Sequence, residues 1–409
     1  MRARNFGINS ALAAGTALAL LASSVQARTV HVLYGFQNVS DGAYPLAGLI
    51  KGRSGNLYGT TSQGGTGGCE GGCGTVFKLA PDGTKTILYS FAGGTDGSHP
   101  QGLVMDKAGN LYGTTASGGG SGCFDNAGCG TVFEMGASGT KTVLHAFKGA
   151  NDGGEPLGGL IIDGKGNLYG SAAEGGGGCD SGYGCGAVFR VAPDGKEKVI
   201  YGFAGPGQGD GEWPGAVRLA RDSAGNIYGT TQSGGAHSYG TVFRLSRDGT
   251  ETVLYSFTGG SDGGGPYAGV ILDAAGNLYG TTPYDGDLNC DYGEGCGTVF
   301  KIASDGTETT LYTFTDTGAN ASPMAPLVMD SAGNLYGTTY GFSPGGVFKL
   351  SPSGTEKLLY TFTGGTDGGQ PLGGLFMDKR GRLYGTTQSG GGGNCNNGFG
   401  CGAVFELRD

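Results

Sequence analysis

The sequence predicts an all-β protein: a seven-bladed β-propeller with four antiparallel strands per blade. Three observations carry this. One seven-residue phrase returns seven times, each copy brings four short strand-like runs, and the first and last runs are halves of one hairpin.

The phrase Gly-Asn-Leu-Tyr-Gly-Thr-Thr stands at 55–61. It returns with small changes at 109–115, 166–172, 225–231, 276–282, 333–339 and 381–387. A second phrase, Gly-(Thr/Ala)-Val-Phe, follows at 74–77, 130–133, 186–189, 240–243, 297–300 and 402–405, with Gly345-Gly346-Val347-Phe348 in the sixth copy. A third is a β-rich run ending in Phe: 30–36, 86–91, 142–147, 198–203, 252–257, 309–314 and 357–362. The fourth is a short apolar run before each Asn-Leu-Tyr: 46–50, 103–105, 160–162, 217–220, 270–272, 327–329 and 375–377. Each run is bounded by Gly, Pro, Asp or Asn, the signature of strands between turns. Turns such as Pro81-Asp82-Gly83 and Asp248-Gly249 make hairpins of the second and third runs.

Neighbours such as Leu57 and Tyr58 point to opposite faces, so each sheet is apolar on both. Packing sheets around an axis covers both faces. The repeats begin with a third-phrase strand alone and end with a second-phrase strand alone. The N-terminal strand is therefore expected to complete the last blade and close the ring, which removes an open edge. An open solenoid needs capping segments, and none is visible. No linker interrupts the period, so 28–409 reads as one domain.

Composition narrows the class. Glycine makes up 93 of 409 residues, a level seen in disordered chains, but 20 Tyr and 19 Phe argue for a packed fold. The net charge of −9 disfavours a nucleic-acid partner. Arg2 and Arg4, the apolar stretch 11–22 and the small residues Val25-Gln26-Ala27 read as a signal peptide cut after Ala27. The later chain has no stretch apolar enough to span a bilayer, so a monomeric protein, secreted or periplasmic, is expected.

The tandem Gly-Asn-Leu-Tyr-Gly-Thr-Thr, Gly-Thr-Val-Phe and Leu-Tyr-Ser-Phe pattern resembles the GloVer tandem repeat family over nearly all of residues 29–409. The resemblance implies an exported bacterial, propeller-like repeat protein. It transfers no catalytic motif and no cofactor.

The ten cysteines form five local pairs: Cys69/Cys73, Cys123/Cys129, Cys179/Cys185, Cys290/Cys296 and Cys395/Cys401. Every pair lies between the first and second phrases, and repeats four and six lack it. An even count in an exported chain reads as five disulfides. Zinc is disfavoured because each loop offers two sulfurs and no His.

Alternate loops of a propeller emerge on one face. The Cys loops therefore share a face with the loops leaving each Phe strand, which carry Asp41, Asp96, Asp152, Asp210, Asp262 and Asp367, each before Gly; the sixth copy departs with Asp316-Thr317-Gly318. These Asp residues read as caps of their own turns, because one Asp per loop is too few ligands for calcium. The informative position is the residue before the Pro that opens each inner strand: Tyr44, His99, Glu155, Trp213, Gly265, Ser322 and Gln370. The scaffold repeats while this position varies, and it is expected to line the mouth of the central channel. Tyr44 and Trp213 suit the apolar faces of sugars; His99, Glu155, Glu212 and Gln370 supply hydrogen bonds.

These features suggest a secreted binding module for a glycan or cell-surface ligand. Two alternatives stand beside it: an envelope or matrix scaffold, and a polysaccharide-cleaving enzyme. A hydrolase would pair Glu155 with Glu212 or a nearby Asp, and a lyase would use His99 or Tyr44 as base. Lys148 is the only basic residue of the seven loops, which disfavours a lyase acting on acidic polymers. No cofactor and no metal are expected.

Overall fold

A computed structural model describes residues 28–408, apart from 121, 124–126, 178, 180–183, 216–217, 291–292, 316–319, 342–343 and 396–397. The leader at 1–27 and the Asp316-Thr317-Gly318 segment lie outside the described residues.

Each repeat folds into one four-stranded antiparallel sheet. In blade 1 the strands run outward in chain order: Ile50–Lys51, Leu57–Thr61, Thr75–Leu79 and Lys85–Ser90. Blades 2 to 6 repeat this order. Blade 7 takes its three inner strands from Phe376–Met377, Leu383–Thr387 and Ala403–Arg408, and its outer strand from Thr29–Gly35. Thr29 lies opposite Arg408 and Gly35 opposite Ala403, so the expected closure is present.

The innermost strands are shorter than the apolar runs suggest. Six of the seven are two residues long, such as Ile161–Ile162 and Val328–Met329; only blade 2 extends, from Ser98 to Met105. Blade 4 adds a two-residue pairing of Gly211–Glu212 with Ser233–Gly234.

Seven apolar clusters lie between neighbouring blades. Between blades 1 and 2, Val76 and Phe91 meet Leu103, Leu111 and Phe133. Phe77, the neighbour of Val76 in sequence, instead packs between blades 7 and 1 with Phe36 and Leu57. Strand alternation thus sends consecutive residues into different cores. At every seam the Phe ending an outer strand meets the Phe of the next blade edge to face; Phe147 and Phe189 lie 4.9 Å apart. The phrase needs its glycine here: a Cβ on Gly59 would lie 2.7 Å from the Phe77 ring.

A second glycine locks blade to blade. The Gly before Val-Phe has φ near +90°, and the next blade's Pro packs on it. At Gly130, a Cβ would lie 2.6 Å from Pro156 Cδ and 2.3 Å from Thr115 O. The opposite face is built from Asp-capped turns. Asp106 Oδ1 accepts from the N–H groups of Ala108, Gly109 and Asn110, and its Oδ2 from Asn110. Asp163, Asp222, Asp273 and Asp330 repeat this role.

Candidate functional site

The variable position shares one backbone geometry in all seven blades. Tyr44, His99, Glu155, Trp213, Gly265, Ser322 and Gln370 all have φ between +50° and +60°. Six of them are not glycine, and the left-handed region costs such residues about 1 kcal/mol or more. Hydrogen bonds hold them there. Each N–H donates to the preceding blade's loop, at the second cysteine in five cases: Tyr44 to Cys401 O, His99 to Cys73 O, Glu155 to Cys129 O, Trp213 to Cys185 O and Ser322 to Cys296 O, all at 2.9–3.0 Å. Carbonyls are held too, as Ser62 N donates to Tyr44 O and Ala173 N to Glu155 O. The scaffold therefore fixes seven side-chain origins and leaves the side chains to vary.

The disulfides brace this arrangement. Cys69–Cys73, Cys123–Cys129, Cys179–Cys185, Cys290–Cys296 and Cys395–Cys401 are all formed. In blades 1 to 3 the sulfurs lie against a glycine of the next loop, Gly93, Gly149 or Gly205; a Cβ on Gly93 would sit 3.0 Å from Cys69 Sγ. Repeats four and six put other groups there. The Tyr239 ring covers Gly259, and Pro344 covers Gly364.

The ring's members differ in character. Trp213 is 52% exposed. Tyr44 and His99 are half-buried; burial raises the Tyr44 phenol and lowers the His99 imidazole, so His99 favours its neutral form. Gln370 Nε2 donates to the Tyr340 hydroxyl at 3.2 Å. Glu212 accepts from Ser233 Oγ at 3.3 Å.

Sequence reasoning missed two groups. At Gly265 the ring lacks a side chain, and two tyrosines frame the gap. A Cβ there would lie 3.0 Å from Tyr284 Cδ2, and the Gly265 N–H donates to Tyr239 O. Tyr239 and Tyr284 are 43% and 42% exposed, and the Tyr267 phenol is raised by burial and then by Tyr284. Gln232 ties this group to Trp213, since its N–H donates to Trp213 O. The second missed residue is Glu174. It is 5% exposed, and its Oε1 has no hydrogen-bond partner. Burial, then the Glu155 charge, push its carboxyl up to about 7; burial also raises Glu155. Glu174 is thus the carboxyl on which the Glu155 charge acts. Its signal was one acidic residue where other blades carry Gln63, Ser117, Ser233 or Ser389.

The loop Asp residues cap their own turns. Asp96 accepts from Ala92 N at 2.7 Å and from the Tyr89 hydroxyl at 2.8 Å. Among the described residues, one cluster offers three metal-type donors, Cys179, Cys185 and Glu212, but both sulfurs are committed to a disulfide.

The model of the Gloeobacter/Verrucomicrobia repeat matches residues 13–215 and 177–400. The chain belongs to this repeat family. No curated protein matches the sequence. Among solved structures, this family member resembles a streptogramin B lyase, with TM-score 0.59 and 12% identity over 93% of this chain and 97% of that one. It also resembles the extracellular domains of two chains from B. thetaiotaomicron described as hybrid two-component systems. These give TM-scores of 0.56 and 0.53 at 10% and 14% identity, over 91% and 92% of this chain. The repeat protein spans only 40% and 41% of those chains. At such identities the likeness shows the fold alone.

Proposed function

We propose that this chain is an exported binding module whose loop face holds a glycan or another cell-surface ligand. The observation that supports it best is the set of exposed aromatic rings Trp213, Tyr239 and Tyr284, the last two beside Gly265, together with the polar residues of the ring. Flat aromatic faces left in water suit stacking against sugar C–H faces, and Glu155, His99 and Gln370 suit sugar hydroxyls. Five disulfides favour an oxidising compartment. Among the described residues, no helix is long and apolar enough to cross a membrane.

A second reading rests on the Glu155–Glu174 pair. Two neighbouring carboxyls, one pushed up to about 7, suit acid–base cleavage of a glycosidic bond. One experiment separates the readings. The mature protein is incubated with a panel of polysaccharides, and both protein depletion and released oligosaccharides are measured. Depletion without products supports the binding module. Products that vanish in Glu155→Gln support the hydrolase. With neither result, both readings fail and a protein-binding scaffold remains.

A further inference from the structure

The innermost strand of each blade lines the axis of the propeller, and the chain enters it from the loop ring through a Pro. The residue after that Pro is apolar in five blades: Leu46, Leu157, Tyr267, Met324 and Leu372. All five are half-buried, and none belongs to the seven apolar clusters between blades. They are left to face the channel around which the blades pack.

Further along, the residue before the buried Leu or Val is Gly48, Gly102, Gly159, Gly269 or Gly374, with Pro326 in blade 6. Neighbouring inner strands touch at this level. A Cβ on Gly48 would lie 2.6 Å from Gly374 O, and one on Gly102 would lie 3.3 Å from Gly159 Cα. Glycine lets two backbones approach this closely. Blade 4 departs from the pattern, with Arg218 directly before buried Leu219.

Arg218 is exposed to solvent, yet burial lowers its guanidinium. A side chain on an innermost strand that is both wet and deep in the molecule stands in the central channel. Among the described residues it has no ion pair, and no neighbouring charge acts on it. The ring carboxyls do not serve it: burial alone raises Glu155, and Glu212 accepts from Ser233 Oγ.

We propose that the central channel binds the carboxylate of a small amphiphilic molecule, with Arg218 as its counter-ion and Leu46, Leu157, Tyr267, Met324 and Leu372 around its apolar body. A guanidinium offers a planar fork that the two oxygens of a carboxylate match. One cation amid apolar side chains suits a monoanion with an apolar body better than a phosphate dianion or a polyhydroxylated acid. The site lies on the channel side of the loop ring and goes beyond the glycan reading; either can hold without the other.

The test titrates octanoate, to about 10 mM, into the whole mature protein and follows the ligand by NMR. Saturable binding is expected in wild type. Octanamide keeps the body and removes the charge, and should bind about 10- to 100-fold more weakly. Octanoate should lose as much on Arg218→Gln, whose exposed side chain leaves the melting temperature within about 2 °C. Glucuronate and inorganic phosphate carry charge without an apolar body and should not bind. Trp213→Ala should leave octanoate binding unchanged, which separates this site from the glycan face. Absence of saturable octanoate binding overturns the proposal. So does equal binding of octanoate and octanamide, or unchanged affinity in Arg218→Gln. Glucuronate or phosphate binding more tightly than octanoate overturns the assigned ligand class.

Discussion

Replacing Glu174 with Gln tests the electrostatics of the candidate site directly. The wild-type carboxyl is raised from 4.5 to about 7, first by burial and then by the charge of Glu155. A carboxyl with a raised folded pKa binds its proton more tightly in the folded state. Its contribution is therefore fully present below the unfolded value of 4.5 and lost as pH rises toward 7. A shift of about 2.5 units at 1.36 kcal/mol per unit gives an upper figure of about 3 kcal/mol of penalty above pH 7. Gln keeps the shape and carries no charge. Glu174→Gln should match wild type near pH 4 and exceed it by up to about 3 kcal/mol near pH 8. Denaturant unfolding of both proteins across this range measures the difference, which cancels the other buried carboxyls. Glu155→Gln should recover part of the same gain, since Glu155 is the second cause of the shift. A gap that is absent, or equal at both ends of the range, refutes the assignment.

Other predictions concern the joints and the ligand face. Gly402→Ala would place a Cβ 2.3 Å from Thr387 O and 2.6 Å from Pro45 Cδ, and should cost more than about 3 kcal/mol; Gly139→Ala, at φ +89° in open space, should cost about 1. Equal melting losses would assign the whole effect to backbone strain. Lys85→Met leaves Asp41 without its 2.6 Å partner and should destabilise by about 3 kcal/mol in denaturant titration; an unchanged midpoint would show that the ammonium adds nothing. Trp213→Ala should abolish retention on a bound glycan while leaving the melting temperature within about 2 °C, because the ring is half exposed. Retention unchanged in Trp213→Ala and in Tyr284→Ala would place the ligand elsewhere.

The architecture was legible because each structural device is written seven times. Strand order, closure by residues 29–35 and the five disulfides follow from repeated phrases, and all are observed. The pre-proline position stood out for the converse reason, since it changes within a repeating frame. Its left-handed backbone did not, because hydrogen bonds from the preceding blade impose it on Tyr44, Glu155 and Trp213 against their own preference. Glu174 and the Lys85–Asp41 contact were missed because they join different phrases across a turn or a blade seam. Tyr239 was missed for a subtler reason. The sequence shows that repeat four lacks cysteines, but only packing shows a tyrosine ring taking the disulfide's place over Gly259.

The seam between Thr29–Gly35 and Ala403–Arg408 also orders events in time. Blades 1 to 6 are each built from contiguous chain and can form as soon as their own strands exist. Blade 7 cannot, because its outer strand is made first and its partner last. Thr29–Gly35 must therefore wait, unpaired, until Ala403–Arg408 has been made. Non-local pairing of this kind is the slow step in folding. The strand Ala403–Arg408 thus acts as a completion check, and a chain truncated within it is left with an unpaired edge at both ends of an open ring.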